Sequence, residues 1–128
     1  MRYLLDTQAL LLWDMNSGKL PSPVFELLQD KSHILFLSIA SVWEIQIKLQ
    51  IGKLQLGASL TTVIENQQQN NGIELLAIQL SHIAALDQLP PHHKDPFDRL
   101  LIAQARVENL TVISGDPIFK QYPVQVMW

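Results

Sequence analysis

The chain reads as an α/β domain built on a central, mostly parallel sheet of four to five strands flanked by helices. Three observations predict this. Short apolar runs have the length and composition of strands covered on both faces. Between them lie stretches whose apolar residues recur at helical spacing, opened by Ser or Asp. Strands alternating with helices require right-handed crossovers and hence a largely parallel sheet.

The strands come in order. Met1 to Thr7 holds the run Tyr3-Leu4-Leu5 and ends on the acid Asp6. Thr7 to Asp14 is helical, with Leu10, Leu11 and Trp13 on its apolar face. Asn16 to Pro23 carries Asn, Ser, Gly and Pro and is a loop. Ser22 is the expected cap of a helix from Pro23 to Lys31. Ile34 to Leu37 is the second strand, and Ser38 or Ser41 caps the helix through Val42 to Leu49, which Gly52 ends. Ser59 opens a helix from Leu60 to about Gln69, with Gly72 closing the polar turn behind it. Ile73 to Ile78 is the third strand, and Ser81 is the expected cap of a short helix from His82 to Leu89.

Pro90-Pro91-His92-His93 is then a rigid linker into the segment Asp95-Pro96-Phe97-Asp98. Asp95 is a strong helix cap, Pro96 suits the first helical position, and Asp98 falls where the helix dipole favours negative charge. Leu101, Ile102 and Ala105 form the buried face that follows. Leu110 to Ser114 is a fourth strand, ending in Ser114-Gly115-Asp116, and Val124-Gln125-Val126 is a last short one.

At 128 residues the chain is expected to form one domain, residues 1–128. Apolar residues make up 48% of it, enough for a globular core. Cysteine is absent, which removes disulfides, thiolate chemistry and Cys-type zinc sites. The apolar stretch from Tyr3 to Trp13 is too short to span a bilayer and is broken by Asp6, so the cytoplasm is the expected location. A net charge of −3 excludes a strongly basic, nucleic-acid-coating protein. It leaves open an enzyme with a concentrated acidic site and scattered Lys and Arg.

Two strands end in acids, Asp6 and Asp116, and two helices begin with them, Glu44 and the pair Asp95 and Asp98. In a parallel sheet these positions share one edge, where open α/β sheets place their sites. Each acid has a structural alternative: a helix cap, or for Glu44 an i,i+4 pair with Lys48. Carboxylates crowded together would protonate unless a cation compensated. Oxygen-only donors suit Mg²⁺ or Mn²⁺, whose natural chemistry is phosphodiester hydrolysis. His92 and His93 are candidate extra ligands or phosphate contacts, although adjacent histidines in a linker are more often solvated.

On these residues the chain resembles the PIN-domain ribonucleases, specifically the VapC-type toxins of bacterial type II toxin–antitoxin systems. The resemblance runs through Leu5-Asp6-Thr7, Ser41-Val42-Trp43-Glu44-Ile45, Asp95-Pro96-Phe97-Asp98-Arg99, Ile102-Ala103-Gln104-Ala105 and Thr111 to Asp116. It implies a PIN-like three-layer domain and a divalent-metal-dependent endoribonuclease. The implied acidic ligands are Asp6, Glu44, Asp98 and Asp116, with Asp95 as a ligand, a cap or both. Ser114 and Thr7 are implied to hold a water or an acid. Gly115 stands where the family often carries a larger residue. Family members form homodimers and are silenced by a cognate antitoxin.

The mechanism this suggests has Asp6, Asp98 and Asp116 on Mg²⁺ or Mn²⁺ and Glu44 orienting the attacking water. Lys48, Lys53, Lys94 and Arg99 are the expected contacts to RNA phosphates. The rival is a catalytically inert binding module of the same fold, its acids capping helices.

Overall fold

The computed structural model describes residues 1–128. The first strand, β1 (Arg2–Leu5), leads into α1 (Thr7–Asp14) and α2 (Ser22–Gln29). After β2 (Ile34–Ser38) come α3 (Ile39–Gln50) and α4 (Leu60–Asn71). The third strand, β3 (Glu74–Leu76), is followed by α5 (Leu80–Ala85), a 3-10 turn over Leu86–Gln88, and α6 (Pro96–Glu108). Last come β4 (Thr111–Ile113), a 3-10 segment over Pro117–Gln121, and β5 (Val126–Met127).

All five strands are parallel, in the order β3-β2-β1-β4-β5. Strand alternation divides the core in two. Tyr3, Leu5, Leu35, Leu37 and Ile113 face one side, where they pack with Leu10, Val24, Leu28, Ile45 and Ile64. Leu4 and Val112 face the other, against Leu101, Ile102, Ala105 and Phe119. The central strands carry unbroken apolar runs, Tyr3-Leu4-Leu5 in β1 and Ile34 to Leu37 in β2, because both faces are covered, which gives the three expected layers.

The chain reverses its direction of strand addition between β1 and β4, so the carboxyl ends of these two strands flank the topological switch point. Asp6 follows one and Asp116 the other.

Several caps fall where the sequence put them. Ser59 Oγ accepts from Thr62 N–H at the start of α4. Gly72 closes that helix at φ 67°, a left-handed conformation that a residue without Cβ adopts freely. Of the two serines before α3, Ser38 is the cap, accepting from Ala40 N–H, while Ser41 is buried inside the helix.

Two other caps are corrected. Ser22 makes no capping bond; α2 starts a residue earlier than expected, with Phe25 N–H already donating to Pro21 O. The Phe25 N–H that a Ser22 cap would accept is thereby already taken. Ser81 likewise lies within α5, which begins at Leu80 because the buried His82 ring accepts the Gln79 N–H on Nδ1. The His82 Nε2–H is thereby left to meet Glu108 at 3.2 Å.

The last strand is also displaced, from Val124–Val126 to Val126–Met127. Val124 N–H donates to Tyr122 O in a tight turn, which delays pairing with β4 until Gln125. No helix is long and apolar enough to cross a membrane.

Candidate active site

Asp6, Glu44, Asp95, Asp98 and Asp116 line one cleft of about 510 Å³, together with Thr7, Gln8, Lys48, Gly115 and Trp128. The sheet delivers the first and last of these acids from adjacent strand ends. α6 delivers Asp95 from its N-cap and Asp98 from its first turn, whereas Glu44 does not open α3 as expected but comes from the second turn, because that helix already starts at Ile39 behind the Ser38 cap.

Asp6 is buried and caps α1, its Oδ1 accepting the Ala9 N–H at 2.7 Å. Its Oδ2 accepts the Ser114 hydroxyl at 2.5 Å. Burial raises its pKa, more than these two hydrogen bonds lower it, and the charges of Asp116 and Glu44 push the same way as burial. Ser114 is itself fixed from the other side, because its Oγ accepts the Asp116 N–H at 3.0 Å. Asp116 is exposed, with Oδ1 capping the 3-10 segment at Ile118 N–H.

Glu44 is half-buried between two donors. The Thr7 hydroxyl donates to Oε1 at 2.6 Å, and Lys48 Nζ lies 3.3 Å from Oε2. The i,i+4 pair with Lys48 therefore forms, and it forms inside the cleft rather than on a solvated face.

Asp98 is pushed up to about 6. Burial is the main cause, with the charge of Asp95 second; the hydrogen bond from His93 opposes them. Asp95 is exposed and caps α6, its Oδ1 accepting both Phe97 N–H and Asp98 N–H. The N-cap geometry thus forces two carboxylates to share a single helix mouth.

His93 and Tyr122 hold Asp98 from behind. The Tyr122 hydroxyl accepts from Arg99 Nη1 at 3.1 Å and from His93 N–H at 3.2 Å. With both lone pairs engaged, its own proton goes to His93 Nδ1 at 2.7 Å. That leaves the His93 Nε2–H to donate to Asp98 Oδ2 at 3.3 Å.

Several expected contacts are placed differently. Arg99 does not line the cleft; its guanidinium donates to Pro90 O, His93 O and the Tyr122 hydroxyl, bracing the linker. Lys53 and Lys94 are also outside the lining, and Lys48 is its one cation. His92 stacks edge-on against Tyr122 at 5.0 Å and lies outside the lining as well. Conversely, Gln8 and Trp128 line the cleft unforeseen.

The donors that converge are carboxylate and hydroxyl oxygens, with no sulfur. Two of the carboxyls sit at raised pKa, through burial first and the like charge of their neighbours second, so a hard divalent cation suits the donor set. No three Asp, Glu or His side chains form a ready-made cation cage. An ion between these acids would therefore be held in part through water.

A family model, the PIN domain, matches residues 3–125. The chain belongs to the PIN domain family. Solved structures share its fold over almost its whole length. The Rickettsia felis VapBC2 complex, bound to a DNA fragment from its promoter, superposes with a TM-score of 0.76 at 17% identity, covering 99% of this chain and 98% of the other. VapBC-1 of nontypeable Haemophilus influenzae gives 0.71 at 18% identity, covering 99% and 97%. FitAcB of Neisseria gonorrhoeae gives 0.65 at 20% identity, covering 98% and 96%. At these identities the likeness is one of fold. No curated protein sequence matches the chain significantly.

In this PIN domain the switch-point cleft and the acidic cleft coincide. A different cavity, of about 320 Å³ beside α1 and α2 and lined by Leu12, Trp13, Leu20 and Phe25, carries no comparable set of acids.

Proposed function

We propose that this PIN domain is a divalent-metal-dependent endoribonuclease acting as the toxin of a toxin–antitoxin pair. One observation carries the reading: five acids from four distant segments of the chain line a single cleft, and burial and like charge raise the pKa of two of them. Such an arrangement is electrostatically unfavourable unless it serves a cation.

Asp6, Asp98 and Asp116 would hold Mg²⁺ or Mn²⁺, with Glu44 and Asp95 contributing charge from either side. The bound ion would supply an activated water and stabilise charge on the phosphoryl oxygens. The chain's own groups would do the rest. The Ser114 hydroxyl and the Ala9 N–H fix the Asp6 carboxylate. Thr7 orients Glu44 so that it can take a proton from the attacking water. Lys48, beside Glu44, is placed to meet a phosphate oxygen.

The toxin role rests on the VapBC and FitAB likenesses. By that analogy the partner is a cognate antitoxin, the toxin itself is a homodimer, and both act in the cytoplasm. Induced expression should arrest growth, and co-expression of a neighbouring antitoxin gene should relieve the arrest. The enzymatic claim is tested by Asp6→Asn and Asp98→Asn, which should abolish Mg²⁺- or Mn²⁺-dependent RNA cleavage while the circular dichroism spectrum is kept. Full cleavage by both variants would refute the assignment.

The inert binding module is favoured by one observation: Asp6, Asp95 and Asp116 each accept backbone N–H groups as caps. Calorimetric titration with Mn²⁺ separates the two readings. A binding heat that Asp98→Asn removes supports the nuclease, and its absence supports the inert module.

A further inference from the structure

The acidic cleft has one apolar lining residue, Trp128, which follows β5. Its indole lies on Gly115. A Cβ built on Gly115 would meet Cε2 at 2.5 Å, Nε1 at 2.7 Å and Cζ2 at 2.9 Å. Nε1 and Cζ2 are the ring neighbours of Cε2. When the middle atom is nearest and both neighbours are slightly farther, the approach is onto the face of the ring. An approach in the ring plane would bring the two neighbours closer than Cε2.

One face of the indole therefore covers the Gly115 backbone. The residue is still 38% exposed, and it lines the cleft together with the acids. The sheet holds it there, since Ser114 N–H donates to Met127 O at 3.2 Å. The glycine next to Asp116 thus has a physical reason: any side chain there would occupy the space of the indole.

We infer that the face of Trp128 turned away from Gly115 is a stacking surface for a nucleobase of single-stranded RNA, next to a phosphate bound over the acidic cleft. This rests on the nuclease reading above. A lysine, and a cation held by the carboxylates, would grip phosphate for attack by water, but none of them holds a base. An indole face does so for any base, because every base has a π-face. The position joins the two needs: Gly115 beneath the ring is adjacent in sequence to Asp116.

The test uses a single-stranded oligoribonucleotide spanning a mapped cut site, with one abasic ribose moved through successive positions. At one position the abasic ribose should raise KM about tenfold for the unaltered protein and have no effect on Trp128→Ala. Trp128→Ala should raise KM on the intact oligonucleotide by a similar factor with kcat little changed, and Trp128→Phe should recover most of it. An abasic effect of equal size in Trp128→Ala would overturn the proposal.

A binding measurement separates this from the nuclease reading and from misfolding of the alanine variant. In Trp13→Phe/Trp43→Phe protein, Trp128 is the only indole. Titration with a mixed-sequence 2′-O-methyl oligoribonucleotide in Mg²⁺ should quench its fluorescence. If the protein cuts no RNA, the nuclease reading fails, and a quench still supports stacking. No quench at RNA concentrations that saturate the protein overturns stacking, whether or not RNA is cut.

Discussion

The Ser114 hydroxyl donates to Asp6 Oδ2 at 2.5 Å, joining the carboxyl ends of β1 and β4 across 108 residues of chain. This bond lowers the Asp6 pKa against the burial that raises it. Ser114→Ala removes the donor, so Asp6 will hold its proton to higher pH. A hydrogen bond to a charged group contributes about 1.5–3 kcal/mol. The acid limb of the pH–rate profile for RNA cleavage should therefore move up by about one pH unit or more. An unmoved limb would show that Asp6 ionisation does not gate the reaction.

Asp98 links stability to pH. Its folded pKa, about 6, lies above the ordinary value of 3.8, so the folded state binds the proton more tightly than the unfolded chain. The stability this contributes is complete below pH 3.8 and is lost as pH rises through about 6. Without divalent ions, Asp98→Asn should therefore melt higher than the unaltered protein at pH 7.5. After allowance for solvent screening the gain is about 1 kcal/mol, or roughly 3–5 °C. Melting curves at pH 4 and pH 7.5 check the sign: the gain should shrink at the lower pH.

Adding Mn²⁺ should raise the melting temperature of the unaltered protein, because an ion that binds only the folded state stabilises it by mass action. Asp98→Asn should respond much less, and EDTA should reverse the effect. Equal responses from both proteins would place the ion elsewhere.

Asp95 combines two jobs that substitution can separate. Asp95→Ala loses the acceptor for Phe97 and Asp98 N–H and should cost about 1 kcal/mol in chemical denaturation. Asp95→Ser keeps a capping oxygen without the charge, so it should restore that stability. It should also bring Asp98 closer to its ordinary pKa, since the Asp95 charge is the second cause of the shift. The change is measurable by carboxyl NMR titration.

Gly115→Ala should be costly although the position is exposed. Its Cβ would lie 2.5 Å from Trp128 Cε2, so the indole must leave its seat. A loss of about 1–3 kcal/mol is expected from such overpacking, read as a lower denaturation midpoint. In Trp128→Ala the same substitution should be almost free, and the double variant measures the coupling.

Much of the site was legible because it is built on local rules. Asp95-Pro96 announces a helix start by chemistry confined to four residues, and α6 begins there. Asp6 and Asp116 follow strands whose apolar runs mark them as central, so their sharing of one edge follows from parallel topology. Where the reading failed, a competing local bond intervened. Ser81 looked like a cap, but the Ile83 N–H it would accept already donates to Gln79 O. Arg99 looked like a phosphate contact beside Asp98, but the Pro90 carbonyl and the Tyr122 hydroxyl claim its guanidinium. Trp128 gave no signal of its own; the nearest hint was a glycine beside an acid.

From its residues alone the chain declared an α/β sheet, its strand ends and the acids set upon them, because propensity, capping and alternation act over a few neighbours. Which hydroxyl meets Asp6, which ring steadies Asp98 and which aromatic overlies Gly115 were settled by packing. Those partners lie 5 to 108 residues away along the chain, and only burial against the sheet brings them within bonding reach.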